Sequence, residues 1–127
     1  GGALEFSTAT FGLDFGGQTA DAGDDVRGAH IHRAPAGANG PIVFGYIGMP
    51  NNDVDGDTVV APAAGTVRGQ WDAAEGNATT LTATLADLRA GNLYINYHTN
   101  AFPGGQVRGQ ILPVDAGRDR IDVSSAG

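Results

Sequence analysis

Three histidines carry most of the chemistry that the residue types and spacing of this 127-residue chain suggest. His30 and His32 flank Ile31 in the run 26–32, which reads as a strand. Side chains two apart on a strand share a face, so both imidazoles project together. His98 ends a second strand-like run, 93–98, where Leu93, Ile95 and Tyr97 form the more apolar face. Tyr94, Asn96 and His98 form the other. Parity therefore predicts all three rings on the outer side of the sheet, meeting if the two strands are neighbours. Convergent imidazoles without a thiolate suit copper or zinc. The ligand form is neutral imidazole, so affinity is expected to fall below pH ~6.5. A fourth position is left to water, an acid or a Gln side chain. Asn96, Gln106 and Arg108 lie near His98 in sequence and are expected to support it. The plainer alternative makes His30 and His32 surface residues and lets His98 cap a loop.

A second candidate is the acidic loop at 51–57. Asn51, Asp53, Asp55 and Asp57 alternate around Gly56. That is the oxygen-ligand spacing of the first half of an EF-hand loop, which would hold calcium. The twelfth position is Pro62 instead of Glu, and no helices are expected to flank it, so a polar turn between strands is the competing reading. Asp21, Asp24 and Asp25 form another acidic loop, and Asn77-Ala78-Thr79 fits a glycosylation sequon.

The elements that position these residues are read from alternation. Leu4, Phe6 and Thr8 alternate with Glu5 and Ser7, and Phe11, Leu13 and Phe15 are expected to continue that pattern. Further strands are expected at 26–32, 42–47, 58–60, 66–71, 79–85, 93–98 and 107–112, and a helical turn or two only at 85–90, before Gly91. Short strands separated by Gly, Pro, Asn and Asp imply an all-β antiparallel sandwich or barrel of about eight strands. Residues 1–113 are expected to form one domain and 114–127 a tail or an added edge strand. The string Val-Arg-Gly recurs at Val26, Val67 and Val107. An Arg-lined repeat would explain it. So would three strands sharing one solution, with Gly where backbones approach closely.

Composition removes several classes. Seven basic against 14 acidic residues give a formal charge of −7. Such a surface disfavours nucleic acid and anionic membranes as partners. With no Cys, any metal must be held by nitrogen and oxygen. No apolar run approaches the ~18 residues of a membrane span. Phosphate loops, dinucleotide fingerprints and nucleophile elbows are absent.

Longer strings carry a resemblance. Gly28-Ala29-His30-Ile31-His32, with Gly37-Ala38-Asn39-Gly40-Pro41-Ile42-Val43, is similar to the first half of a CHRD domain, the module named after chordin. The run from Leu85 through Asn92-Leu93-Tyr94-Ile95-Asn96-Tyr97-His98-Thr99, with Phe102-Pro103-Gly104-Gly105-Gln106-Val107-Arg108-Gly109-Gln110-Ile111, resembles its second half. The family in turn resembles copper,zinc superoxide dismutase, a Greek-key barrel. The resemblance implies copper-ligand roles for His30, His32 and His98, and an exported protein in a periplasmic, cell-surface or secreted setting. The chain has no fourth His to bridge to zinc. Three functions follow: an exported copper-binding module, a structural module docking a protein partner through an edge strand or the tail, or a copper-only dismutase-like enzyme.

Overall fold

The computed structural model describes residues 3–15, 22–105, 107–113 and 120–125. Gln106, Asp21 and most of the expected loop after Phe15 lie outside the described residues, as do 114–119 and 126–127 of the tail. The strands are β1 (Ala3–Ala9), β2 (Val26–Arg33), β3 (Ile42–Ile47), β4 (Val59–Ala61), β5 (Thr66–Asp72), β6 (Leu93–Thr99), β7 (Val107–Pro113) and β8 (Arg120–Ser125). They join in the order β3-β2-β6-β7-β8-β1-β5-β4, antiparallel except where β1 meets β8. The result is an all-β sandwich: the β3-β2-β6-β7 half folds over the β8-β1-β5-β4 half.

Inward residues of the two halves meet in an aromatic core. Phe44 on β3 stacks on Trp71 on β5 at 5.0 Å, and Phe6 on β1 meets Tyr46 edge-on at 4.9 Å. Ile31, Ile95, Val67 and Ile111 fill the space around them. The halves differ in their outer faces. β1 alternates buried and exposed, as expected of a sheet with one wet side. In β2, by contrast, Gly28 through His32 are all buried, and β6 is buried along nearly its whole length. The histidine-bearing half is therefore covered on both sides.

Three expectations are corrected. Residues 79–85 are not a strand; α1 runs Leu81–Arg89. The Thr-Leu-Thr-Ala-Thr-Leu alternation hid a helical register, in which Leu81, Leu85 and Leu88 face the core. Thr80 caps the helix by accepting from the Ala83 amide at 3.1 Å, and the Thr84 hydroxyl bonds back to the Thr80 carbonyl. Phe11 to Phe15 do not prolong β1. Phe11 and Gly12 take φ of 54° and 71°, which turns the chain out of the sheet. Phe11 and Phe15 then both pack on Tyr97. Finally, the tail strand β8 is not an edge. It pairs with β7 on one side and β1 on the other, joining the two halves.

Candidate metal centre

β2 and β6 are direct neighbours, and their register places His32 opposite Tyr94, His30 opposite Asn96 and His98 opposite Gly28. The last pairing matters most. A Cβ on Gly28 would meet Cε1 of His30 at 3.2 Å, so glycine leaves the room into which the His30 ring leans. His30 and His98 approach to 4.8 Å between ring centroids, and His32 lies 5.8 and 6.0 Å from them. One nitrogen from each ring falls within 4.8 Å of the others.

The remaining nitrogen of each ring is tied down by backbone. His30 Nε2 bonds the Met49 carbonyl at 3.0 Å, His32 Nδ1 that of Gly40 at 2.9 Å, and His98 Nδ1 that of Pro103 at 2.9 Å. A carbonyl only accepts, so each of these nitrogens carries the proton. The tautomers are thereby set: His30 Nδ1, His32 Nε2 and His98 Nε2 keep their lone pairs. Among the described residues these three atoms are buried and have no hydrogen-bond partner. An unpaired buried acceptor costs about 1–3 kcal/mol, so three in one cluster call for an explanation. A metal ion supplies one: the three rings cluster, each keeps one buried lone pair, and the protonated nitrogens have carbonyl partners, as in metal-binding histidines.

Burial pushes the His30 imidazolium down to about 4 from an ordinary 6.5; the Met49 carbonyl opposes this, and repulsion by His98 and His32 adds to it. His32 is lowered in the same way, chiefly by burial, with the Gly40 carbonyl opposing and His98 and Arg108 adding. The two rings are held in their neutral, ligating form at neutral pH.

Three surface segments cover the cluster. The strap from Ala34 to Pro41 follows β2 and folds back over it, with Arg33 donating to Pro41 at 2.9 Å. Gly40 is its pivot. Its carbonyl holds His32, its amide donates to the Tyr94 hydroxyl at 3.1 Å, and a Cβ there would fall 1.8 Å from the Arg33 carbonyl. Arg108 clamps the strap by donating to Asn39 Oδ1 at 3.1 Å and to the Pro35 and Ala38 carbonyls. Its guanidinium also sits 3.5 Å over the Tyr94 ring, which stacks on His32 at 4.9 Å and 8°. Gln110 anchors the strap's foot by donating to Ala34 at 2.9 Å. The second segment, 48–52, lies on β3: a Cβ on Gly45 would meet the Pro50 carbonyl at 1.9 Å. The third is the 102–105 turn, held by His98 and by Asn96, whose Nδ2 donates to Gly104 at 3.3 Å.

Among the residues expected to support the centre, Arg108 thus reaches His32 through Tyr94 and the strap, while Asn96 holds the turn that holds His98. Gln106 lies outside the described residues. Tyr94, Gly40, Met49, Pro103 and Gln110 were not anticipated. Only Tyr94 left a signal, its place on the outer face of the His98 strand.

The acidic loop is arranged differently. Asp53 accepts from the Thr58 amide at 3.0 Å, the Thr58 hydroxyl at 2.7 Å and the Asp57 amide at 3.3 Å, while Asn51 Oδ1 accepts from the Asp53 amide. These oxygens close their own turn. Asp53, Asp55 and Asp57 still lie close together, and the Asp57 carboxyl is raised to about 6 by burial and by repulsion from Asp53 and Asp55. Asn77 Nδ2 lies 3.4 Å from the Ile42 carbonyl.

Among the described residues no helix is long and apolar enough to cross a membrane. No curated protein and no solved structure matches the chain. The family model of the CHRD domain matches residues 1–111. CHRD domains are β-rich modules of the extracellular type. The match spans both halves of the sandwich and all three histidines, and the chain belongs to the CHRD domain family.

Proposed function

We propose that this CHRD domain is a metal-binding module that holds one copper ion through His30, His32 and His98 in an extracytoplasmic setting. The observation that carries this reading is the set of three buried, unpartnered lone pairs, one per ring, with every second nitrogen bonded to a backbone carbonyl. Imidazole donors suit copper, and the absence of Cys leaves no thiolate route. The role is binding rather than catalysis: the lone pairs are closed off from solvent, and Arg108 is committed to the strap and to Tyr94.

The test is titration of the metal-free chain with copper, by EPR for Cu(II) and by anaerobic chelator competition for Cu(I). One equivalent bound by the wild type, and lost in His30→Ala, His32→Ala and His98→Ala, is the expected result. Binding unchanged in all three variants refutes the reading.

A second reading, a module that docks a protein partner, draws support from the sheet edges. The outer backbone of β3 is occupied by Asn52 and Asn77, whose amides donate to Gly45 and Val43 at 2.7 Å. Among the described residues β4 ends the sheet order and pairs with β5 alone, and Val59 is 57% exposed, an edge suited to strand addition. Light scattering on material from its native source tests this; a strict monomer with no copurifying partner argues against it.

A further inference from the structure

The copper reading leaves open which oxidation state the site prefers. Resting on that reading, we propose that the three-histidine site selects Cu(I) over Cu(II) and Zn(II). Three observations carry this.

The first is charge. All three donors are neutral nitrogens, and none of the acidic clusters among the described residues includes a histidine. The charged side chain tied into the surrounding shell is Arg108, a cation, which sits over the ring that stacks on His32. A cation entering this site brings charge that no ligand neutralises. The cost of burying an ion grows as the square of its charge, so a dication is penalised about four times as heavily as a monocation.

The second is donor number. Zn(II) and Cu(II) complete their coordination with a fourth or further donor, commonly water. Of the outer-face groups nearest the rings, the Tyr94 hydroxyl accepts from Gly40, and Asn96 donates through Nδ2 to Gly104 and turns its unbonded Oδ1 onto Gly105, where a Cβ would stand 2.2 Å from it. The three lone pairs are shielded from solvent, so water has no ready route to them. Zn(II) shares the filled d shell of Cu(I) but, as a dication, draws a fourth donor, whereas the monocation Cu(I) is satisfied by three.

The third is resistance to rearrangement. The rings are anchored to three separate segments, at Gly40, Met49 and Pro103. Two of these segments sit on backbone so closely that Gly40 and Gly45 admit no Cβ. Opening the site to a larger coordination number means displacing at least one of them.

The experiment measures both affinities on the full chain: Cu(I) against bicinchoninate without oxygen, and Cu(II) and Zn(II) against a carboxylate chelator. His98→Ala serves as the site variant, since His98 is the least buried of the three, and Trp71 fluorescence confirms that it folds. The expected result is Cu(I) bound at least about a hundredfold more tightly than Cu(II), equivalent to a copper potential about 120 mV above that of the aqueous couple. Zn(II) should fail to displace it at equal concentration, and the Cu(I) affinity should be lost in His98→Ala. Cu(II) or Zn(II) binding as tightly as Cu(I) at the same histidines overturns the selectivity while leaving the metal site standing. If no metal binds in a histidine-dependent way, the site reading itself fails and the selectivity falls with it.

Discussion

Replacing His30 by Gln should remove an acid-sensitive part of the stability of the metal-free protein. The native ring takes up its proton near pH 4, while the unfolded chain does so near 6.5. Between those values the unfolded state binds more protons than the native one, so stability falls as pH drops. The contribution is whole above pH 6.5 and gone by about pH 4. At about 1.4 kcal/mol per pKa unit, His30 accounts for a loss of about 2–3 kcal/mol across that window. His32 is shifted in the same direction and adds to it. Asp57 works against it: a carboxyl raised to about 6 binds its proton more readily in the native state, so stability is gained as pH falls through that value. The raw pH profile of the wild type is therefore flattened. The difference between wild type and His30→Gln cancels Asp57 and every other unchanged group. Urea unfolding followed by the single Trp, which is fully buried, gives that difference at pH 7.5, 6 and 4.5. The wild-type advantage should shrink by about 2–3 kcal/mol from the first pH to the last. Parallel profiles would show that His30 is not held neutral by burial, and the account of the cluster's electrostatics would be wrong.

Three further predictions concern the covering segments and the helix cap. Arg108→Ala should weaken copper binding about 10–100-fold by freeing the strap that orients His32, whereas Met49→Leu should change it less than about threefold, because the Met49 carbonyl rather than its side chain holds His30; calorimetric or competition titrations read both. Gly40→Ala should lower the urea midpoint and weaken copper binding together, since its Cβ falls 1.8 Å from the Arg33 carbonyl and the pivot must shift. Thr80→Ala should cost about 1 kcal/mol in urea unfolding through loss of the helix cap, with copper affinity untouched.

The strands were legible because alternation is a strong signal and most of them are bounded by Gly, Pro or Asn. Strand parity was legible too, and it put the three rings on one face. What alternation does not report is whether an outer face is wet. Tyr94, Asn96, His30 and His32 sit at outward positions yet are nearly fully buried. The covering segments are loops, and loops hold these residues through backbone carbonyls, which look alike at every position of a sequence. The helix at Leu81–Arg89 was hidden for another reason. Its Thr residues favour strands by propensity, and the Leu spacing fits either period over so short a run; tertiary packing and the Thr80 cap decide it. β8 was legible as an extra strand but not as an interior one, because its partners are set by a sheet order that no local pattern encodes.

The recurring Val-Arg-Gly string shows how one local pattern can serve unrelated ends. On β5, Val67 is in the core and Arg68 is exposed, and Gly69 lies opposite Phe6, whose ring fills the space where a Cβ would stand at 2.3 Å. There the glycine serves the core. On β2, Arg27 is exposed, and Gly28, which pairs with His98, makes its room on the outer face for the His30 ring. There the glycine serves the site. On β7 it is the Arg that matters, because Arg108 clamps the strap over His32. The shared string is thus a strand solution in which the missing side chain is used by whichever neighbour needs the volume. A Gly28→Ala substitution separates the two uses, since its Cβ meets the His30 ring at 3.2 Å, a contact relieved by a shift of a few tenths of an ångström, while a Cβ on Gly69 would stand 2.3 Å from the Phe6 ring in the core. Gly28→Ala should move His30 away from His98 and weaken copper binding with little change in the urea midpoint, while Gly69→Ala, set against Phe6 in the core, should lower the midpoint by far more. Equal effects of the two substitutions on stability would mean that the His30 ring is packed as rigidly as the core, and that Gly28 serves the fold rather than the site.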